Sequence, residues 1–361
     1  MSTSISNVEI IEINPVGSLC NLGCTYCNAQ YLRNESDKSK WLMKASTLEQ
    51  VFTEISTLHL DKLNIHWYGG EPLLAGIDFY SDALKLQQNI LNTTSIINSL
   101  NTNGLLLNKE YLDFFKTNKF LLSVSLDGAN FNHNKERFAS EKQYNKVLEN
   151  IDLLKQSGMP LVIALVVKQS TYKYAKEILQ YLKGMNVAQL RIFPCFHKNQ
   201  DGHLESDTID NEMYFTFLKD LFDGWINSNR PFKIGLFSEL IKGHLKGCYS
   251  LCYLSGNCSS MNIDRNGNVY SSCEVQTEDT YLGKINSTPL SRYIEKHKQR
   301  QSGLELKEVV DIMGSEGFDK GILKSKGKYC YQYFQEGIYH YYYVEALRKI
   351  KDHINNSIGK L

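Results

Sequence analysis

The chain has 361 residues, 42% of them hydrophobic, which is enough for one large α/β domain with a smaller one or for two medium domains. Forty Lys and Arg against 39 Asp and Glu leave a formal charge of +1, with no basic stripe or acidic run, so neither nucleic acid nor a membrane surface is an expected partner. The opening MSTSISNVEIIEIN lacks the basic start and apolar core of a signal peptide, and no later stretch reaches about 18 uncharged apolar residues, which points to the cytoplasm. Nine cysteines in a reducing compartment suggest metal rather than bridges.

Apolar, β-branched runs recur at VEIIEI (8–13), KLNIHWY (62–68), TSIINSL (94–100), FLLSVSL (120–126), LVIALVV (161–167) and QLRIFPC (189–195). Between them, segments such as TLEQVFTEISTLHL, YSDALKLQQNIL, NKEYLDFFKTN, QYNKVLENIDLLKQSG and YKYAKEILQYLKGM space their apolar residues by three and four, as helices do. This alternation builds right-handed βαβ units on a parallel sheet, and six of them predict a partial (β/α)6 barrel rather than a full TIM barrel. After Cys195 come a polar loop, a helix over MYFTFLKDLFDGWINS and a cysteine-rich region, so a boundary is expected near residue 235. Residues 1–235 are read as the barrel, and 236–361 as a smaller cysteine-rich domain with a C-terminal helix.

The loop after the first strand, SLCNLGCTYCNAQ, carries Cys20, Cys24 and Cys27 as C-x3-C-x2-C. The carboxyl ends of parallel strands are where such folds keep their sites. Three thiolates on a four-iron cluster leave one iron open to a ligand. Buried free cysteines, or half of a zinc site lacking its fourth ligand, are the alternative readings.

With Tyr26 as its aromatic residue, this C-x3-C-x-aromatic-C loop resembles the signature of the radical S-adenosylmethionine superfamily. The resemblance implies a 4Fe-4S cluster on the three cysteines and reductive cleavage of S-adenosylmethionine to a 5′-deoxyadenosyl radical. It extends to Gly69, Gly70, Glu71 and Pro72 in HWYGGEPLL, which match the family's Gly-Gly-Glu-Pro edge for the methionine amino group. Asn103 after the third strand and Ser125 after the fourth stand on the same rim, where they could hold ribose and carboxylate oxygens. Arg137 in HNKERF resembles the family arginine that pairs with the methionine carboxylate. Read alone, each of these is also an ordinary turn residue or surface charge.

Cys248, Cys252, Cys258, Cys273 and Cys330 surround DRNGNVYSSC, a hairpin predicted to turn at Asn266-Gly267. The region is similar to the SPASM extension in its shortened twitch form. YGGEPLLAGIDFY, SLNTNGLLLN, SVSLDG and LRIFPCFH most resemble the anaerobic sulfatase-maturase group of peptide maturases. Those relatives usually carry two auxiliary clusters. Here the second cysteine block is missing, which implies one auxiliary 4Fe-4S cluster on Cys252, Cys258, Cys273 and Cys330, with Cys248 left over or replacing one of them. Four thiolates also suit zinc. Cys195 is read as a buried small hydrophobe. Glu274 stands where the maturases have a proton-accepting Asp, and with the missing cluster it argues against formylglycine formation itself; alternatively it is a solvated hairpin carboxylate.

The expected function is oxidation of a peptide or protein side chain by radical chemistry, supplied with electrons by an external one-electron donor of the flavodoxin or ferredoxin type. The alternatives are oxidation of a small molecule such as an aminocyclitol, and a non-catalytic iron-sulfur protein.

Overall fold

The computed structural model describes residues 10–27, 41–196, 205, 208–246, 260–271, 281–302 and 346–357. Six predicted strands form close to their expected limits: β1 (Ile10–Ile13), β2 (Lys62–Trp67), β3 (Ser95–Thr102), β4 (Leu121–Ser125), β5 (Val162–Val167) and β6 (Gln189–Pro194). They pair in chain order and in parallel. The helices α1 (Ala45–Ser56), α2 (Gly76–Ile90), α3 (Lys109–Thr117), α4 (Phe131–Asn134), α5 (Glu141–Gln156) and α6 (Ala175–Gly184) connect them.

Periodicity explains why the helices seat where they do. In α1, Leu48, Val51, Phe52 and Ile55 form one buried stripe. Asn108, Ser140 and Asp210 accept backbone N–H bonds at the starts of α3, α5 and α7 (Asn211–Asn227), satisfying donors that the first turn leaves open. On the strands, Leu63, Ile65 and Trp67 pack into the core, with Trp67 edge-on to Phe79 and Tyr80 of α2. The pleat therefore turns Asn64 and His66 to the opposite, inner face.

Further elements lie outside the sequence expectations. A two-residue strand β7 (Lys233–Ile234) pairs with β6 and leads into α8 (Gly235–Lys246), whose Phe237 meets Phe222 and Trp225 of α7. The predicted hairpin forms as β8 (Ser260–Ile263) and β9 (Asn268–Tyr270), turning at Gly267 with φ +80, and β10 (Tyr281–Lys284) follows. It does not stand apart: β8 pairs in parallel along β1, giving one ten-stranded sheet in the order β10-β9-β8-β1-β2-β3-β4-β5-β6-β7. The helix Leu290–Ser302 follows, and residues 346–357 are helical. Among the described residues no helix is long and apolar enough to cross a membrane.

Candidate active site

The cysteine loop leaves β1 at Asn14 and folds over the carboxyl ends of β2 and β3. Tyr68 N donates to Ile13 O, Gly70 N to Gly17 O at 2.8 Å and Glu71 N to Leu19 O at 2.8 Å, so the Gly-Gly-Glu segment runs against the loop like an extra length of sheet. That approach is why both glycines are needed. A Cβ on Gly69, which has φ +126, would lie 2.1 Å from Asn14 Oδ1, and one on Gly70 would lie 2.0 Å from Leu19 O.

Cys20 and Cys27 are partly exposed and Cys24 is buried; none is in a disulfide. Leu22 N lies 3.4 Å and Asn103 Nδ2 3.7 Å from Cys20 Sγ, so N–H donors already face this sulfur, as a thiolate requires. Burial pushes the Cys24 thiol up to about 11, with Arg137 pulling the other way, so metal binding must displace its proton. Among the described residues no three Cys, His, Asp or Glu side chains converge on one point, as a single metal ion would demand. Cys20 and Cys27 both act on the Cys24 thiol, so the three sulfurs lie near one another on one loop, a donor set suited to an iron-sulfur cluster.

The rim residues are placed as follows. Glu71 is wholly buried and faces inward. Its Oε1 accepts from Leu73 N at 3.1 Å and Thr102 Oγ1 at 2.7 Å, and its Oε2 from Asn103 N at 2.8 Å. Burial pushes its carboxyl up to about 7 against the pull of these three donors. Glu71 thus ties the end of β2 to the end of β3. Exchange to Gln, which sets an amide NH2 against an existing donor, is expected to cost about 2 kcal/mol in urea melts. Pro72 opens the short 3-10 turn Pro72–Ala75.

Asn103 donates to Asn21 Oδ1 at 2.7 Å and accepts from Leu105 N, clamping the β3 end to the cysteine loop. Ser125 is buried at the end of β4 and takes a 3.4 Å contact from Asn101 Nδ2. Cys195 is buried. Cys248, Cys252, Cys258, Cys273, Glu274 and Cys330 lie outside the described residues.

Sequence reasoning missed a buried ionic network beneath the loop. Asp127 Oδ2 receives the Tyr26 hydroxyl at 2.6 Å, Arg137 Nε at 3.1 Å and Lys168 Nζ at 3.4 Å. Its Oδ1 receives Arg137 Nη2 at 2.9 Å and Val166 N at 3.1 Å. Burial, the largest influence, works to raise this carboxyl, but Arg137, Lys168 and their hydrogen bonds outweigh it and hold Asp127 at about 2. Lys168 also donates to His133 O at 2.8 Å and Glu136 Oε2 at 2.9 Å. Both cations lie over the Tyr26 ring, 5.7 Å away for Arg137 and 5.3 Å for Lys168. Arg137, expected at the methionine carboxylate, is thus shared with Asp127. A lysine closing the apolar run LVIALVVK was the available signal.

The inner face of the sheet is polar. His66 Nδ1 bonds Ser99 Oγ at 2.9 Å and Ser99 donates to Asn64 Oδ1, while Ser123 donates to Asn101 Oδ1 at 2.8 Å. Burial and the nearby Arg191 push His66 down to about 3, so it is neutral at physiological pH.

Comparison with known proteins agrees with this geometry. The Radical SAM superfamily profile matches residues 14–182. The cysteine-type anaerobic sulfatase-maturating enzyme of Clostridium novyi (strain NT) is 32% identical over 290 residues, covering 77% of each chain. The serine-type enzyme of Bacteroides thetaiotaomicron is 27% identical over 316 residues, covering 81% of this chain and 76% of its own. The solved structure of native anSMEcpe with bound AdoMet is 27% identical and superposes with a TM-score of 0.71, covering 81% of this chain and 82% of that one. A further structure of that protein holds AdoMet and the Cp18Cys peptide, with a TM-score of 0.70. Family and fold agree: this chain belongs to the radical SAM superfamily, an enzyme dependent on 4Fe-4S iron and S-adenosylmethionine and related to the anaerobic sulfatase-maturating enzymes.

Proposed function

We propose that the enzyme oxidises a side chain of a peptide or protein substrate. The observation that carries this reading is the docking of the cysteine loop onto the Gly69-Gly70-Glu71 edge, with Asn103 at the end of β3 reaching Cys20 Sγ, in a sheet whose inner face is polar. With its cofactors bound, such a site supplies reductive cleavage of S-adenosylmethionine and hydrogen abstraction from carbon by a 5′-deoxyadenosyl radical. Cys20, Cys24 and Cys27 would hold the cluster. The backbone of the Gly69-Gly70 edge would meet the methionine amino group, Arg137 the carboxylate, and Asn103 and Ser125 the ribose. Tyr26 would steady the loop through its bond to Asp127.

Residues 236–361 are assigned the auxiliary function. Cys252, Cys258, Cys273 and Cys330 would hold one further 4Fe-4S cluster, the electron acceptor that an oxidation requires, and Glu274 would take the substrate proton. A flavodoxin- or ferredoxin-type protein would supply electrons. The names of the relatives support a peptide substrate, as does the Cp18Cys complex. Asn64, His66, Ser99 and Asn101 offer the hydrogen-bonding wall that a peptide would need.

Anaerobic reconstitution, iron and sulfide counting, and chromatography of 5′-deoxyadenosine test the proposal. The wild type with dithionite and S-adenosylmethionine is expected to make 5′-deoxyadenosine, and the Cys20→Ala, Cys24→Ala, Cys27→Ala triple variant to make none above background. Turnover by the triple variant would sink the assignment. Stimulation by aminocyclitols and not by peptides would overturn the substrate class.

A further inference from the structure

In the network around Asp127 the charges are unevenly distributed, with the surplus cation buried and its balancing carboxylate further out. Arg137 and Lys168 are both nearly inaccessible, with side chains 9% and 4% exposed, and they share one wholly buried carboxylate. This trio carries a net charge of +1. The fourth member, Glu136, lies further out with its side chain 22% exposed; Lys168 is the cation it pairs with, and the Ser170 side chain also bonds to it. Arg137 engages Asp127 through Nε and Nη2, and among the described residues no hydrogen bond claims Nη1.

An arginine paired one-to-one with a buried carboxylate has little field left for a second anion. Here Lys168 takes part of Asp127 Oδ2, so the Arg137 charge is not fully cancelled. Glu136 pulls in the opposite direction by neutralising Lys168.

We propose that Lys168 and Glu136 are opposed positioning residues that set how strongly Arg137 binds the carboxylate of an amino-acid-type ligand, Lys168 strengthening that binding and Glu136 moderating it. The inference rests on the reading that Arg137 meets the carboxylate of S-adenosylmethionine. Its ligand class is the α-carboxylate, and its mechanism is charge rather than contact, since both side chains act through Asp127 and Arg137.

Anaerobic calorimetric titration of the reconstituted enzyme with S-adenosylmethionine, and separately with its decarboxylated analogue, reads the effect without turnover. Lys168→Met is expected to weaken S-adenosylmethionine binding on the order of tenfold, and Lys168→Arg to restore it. Glu136→Gln is expected to tighten binding about threefold, and neither change is expected to affect the decarboxylated analogue. Glu136 lies near the surface, so its variant reports even if Lys168→Met fails to fold. If both variants weaken binding, or Glu136→Gln leaves it unchanged, the two residues are structural braces and the inference falls. If the wild type binds the decarboxylated analogue as tightly as S-adenosylmethionine, the assignment of Arg137 to the carboxylate fails instead.

Discussion

Replacing Gly70 with alanine is expected to destabilise the protein by more than about 4 kcal/mol and to abolish iron loading. The added Cβ would sit 2.0 Å from Leu19 O and 2.7 Å from Ser18 C, both main-chain atoms that cannot swing aside as a side-chain tip can. Relief requires the cysteine loop to lift off the rim, breaking the bonds from Gly70 N to Gly17 O and from Glu71 N to Leu19 O. Gly23 supplies the control. It lies in the same loop, between Cys20 and Cys24, yet a Cβ there meets nothing within 4 Å, so Gly23→Ala should change stability by no more than about 0.5 kcal/mol. Urea melts and iron counting on the two variants separate a steric effect of the close approach from a general intolerance of the loop. Equal behaviour of the pair would refute the argument.

The second large effect is expected at Asp127. Asp127→Asn keeps the shape but leaves Arg137 and Lys168 buried with no carboxylate between them, at a cost of about 3–5 kcal/mol. The sign of the pH dependence is set by the carboxyl being held below its ordinary 3.8, at about 2, in the folded chain. The unfolded chain therefore takes up the proton first as pH falls. The group's contribution is present above about pH 4 and is lost as pH drops toward 2, a span worth about 2 kcal/mol. Wild-type stability should decline over that window more steeply than that of Asp127→Asn. Parallel acid limbs in urea melts from pH 5 to pH 2 would contradict the pairing.

Strand positions were legible because parallel strands buried against helices read as apolar runs of the right length. LVIALVV (161–167) became β5 (Val162–Val167) almost unchanged. The rim was legible because a GGEP edge has few other uses after a cysteine loop. The opposed strand faces were not. Asn64 and His66 on β2, Ser99 and Asn101 on β3, and Ser123 and Ser125 on β4 alternate with core residues, a period-of-two signal for a polar interior that the apolar average conceals. Glu71 was expected to face a ligand, and folding turned it inward because Thr102 and Asn103 present donors from the neighbouring strand. The Asp127 network joins residues from four separate segments, and its partners carry no spacing signature.

The pairing of β8 with β1 has a consequence for how the enzyme is made. Residues 10–13 emerge early from the ribosome, but their second neighbour is residues 260–263. At about 5–20 residues per second, the strand that leads into the cysteine loop waits on the order of tens of seconds with one edge unpaired. Such a distant pairing is also slow to close once both halves exist. The sheet edge that leads into the Cys20, Cys24 and Cys27 loop is therefore complete only after the hairpin has emerged.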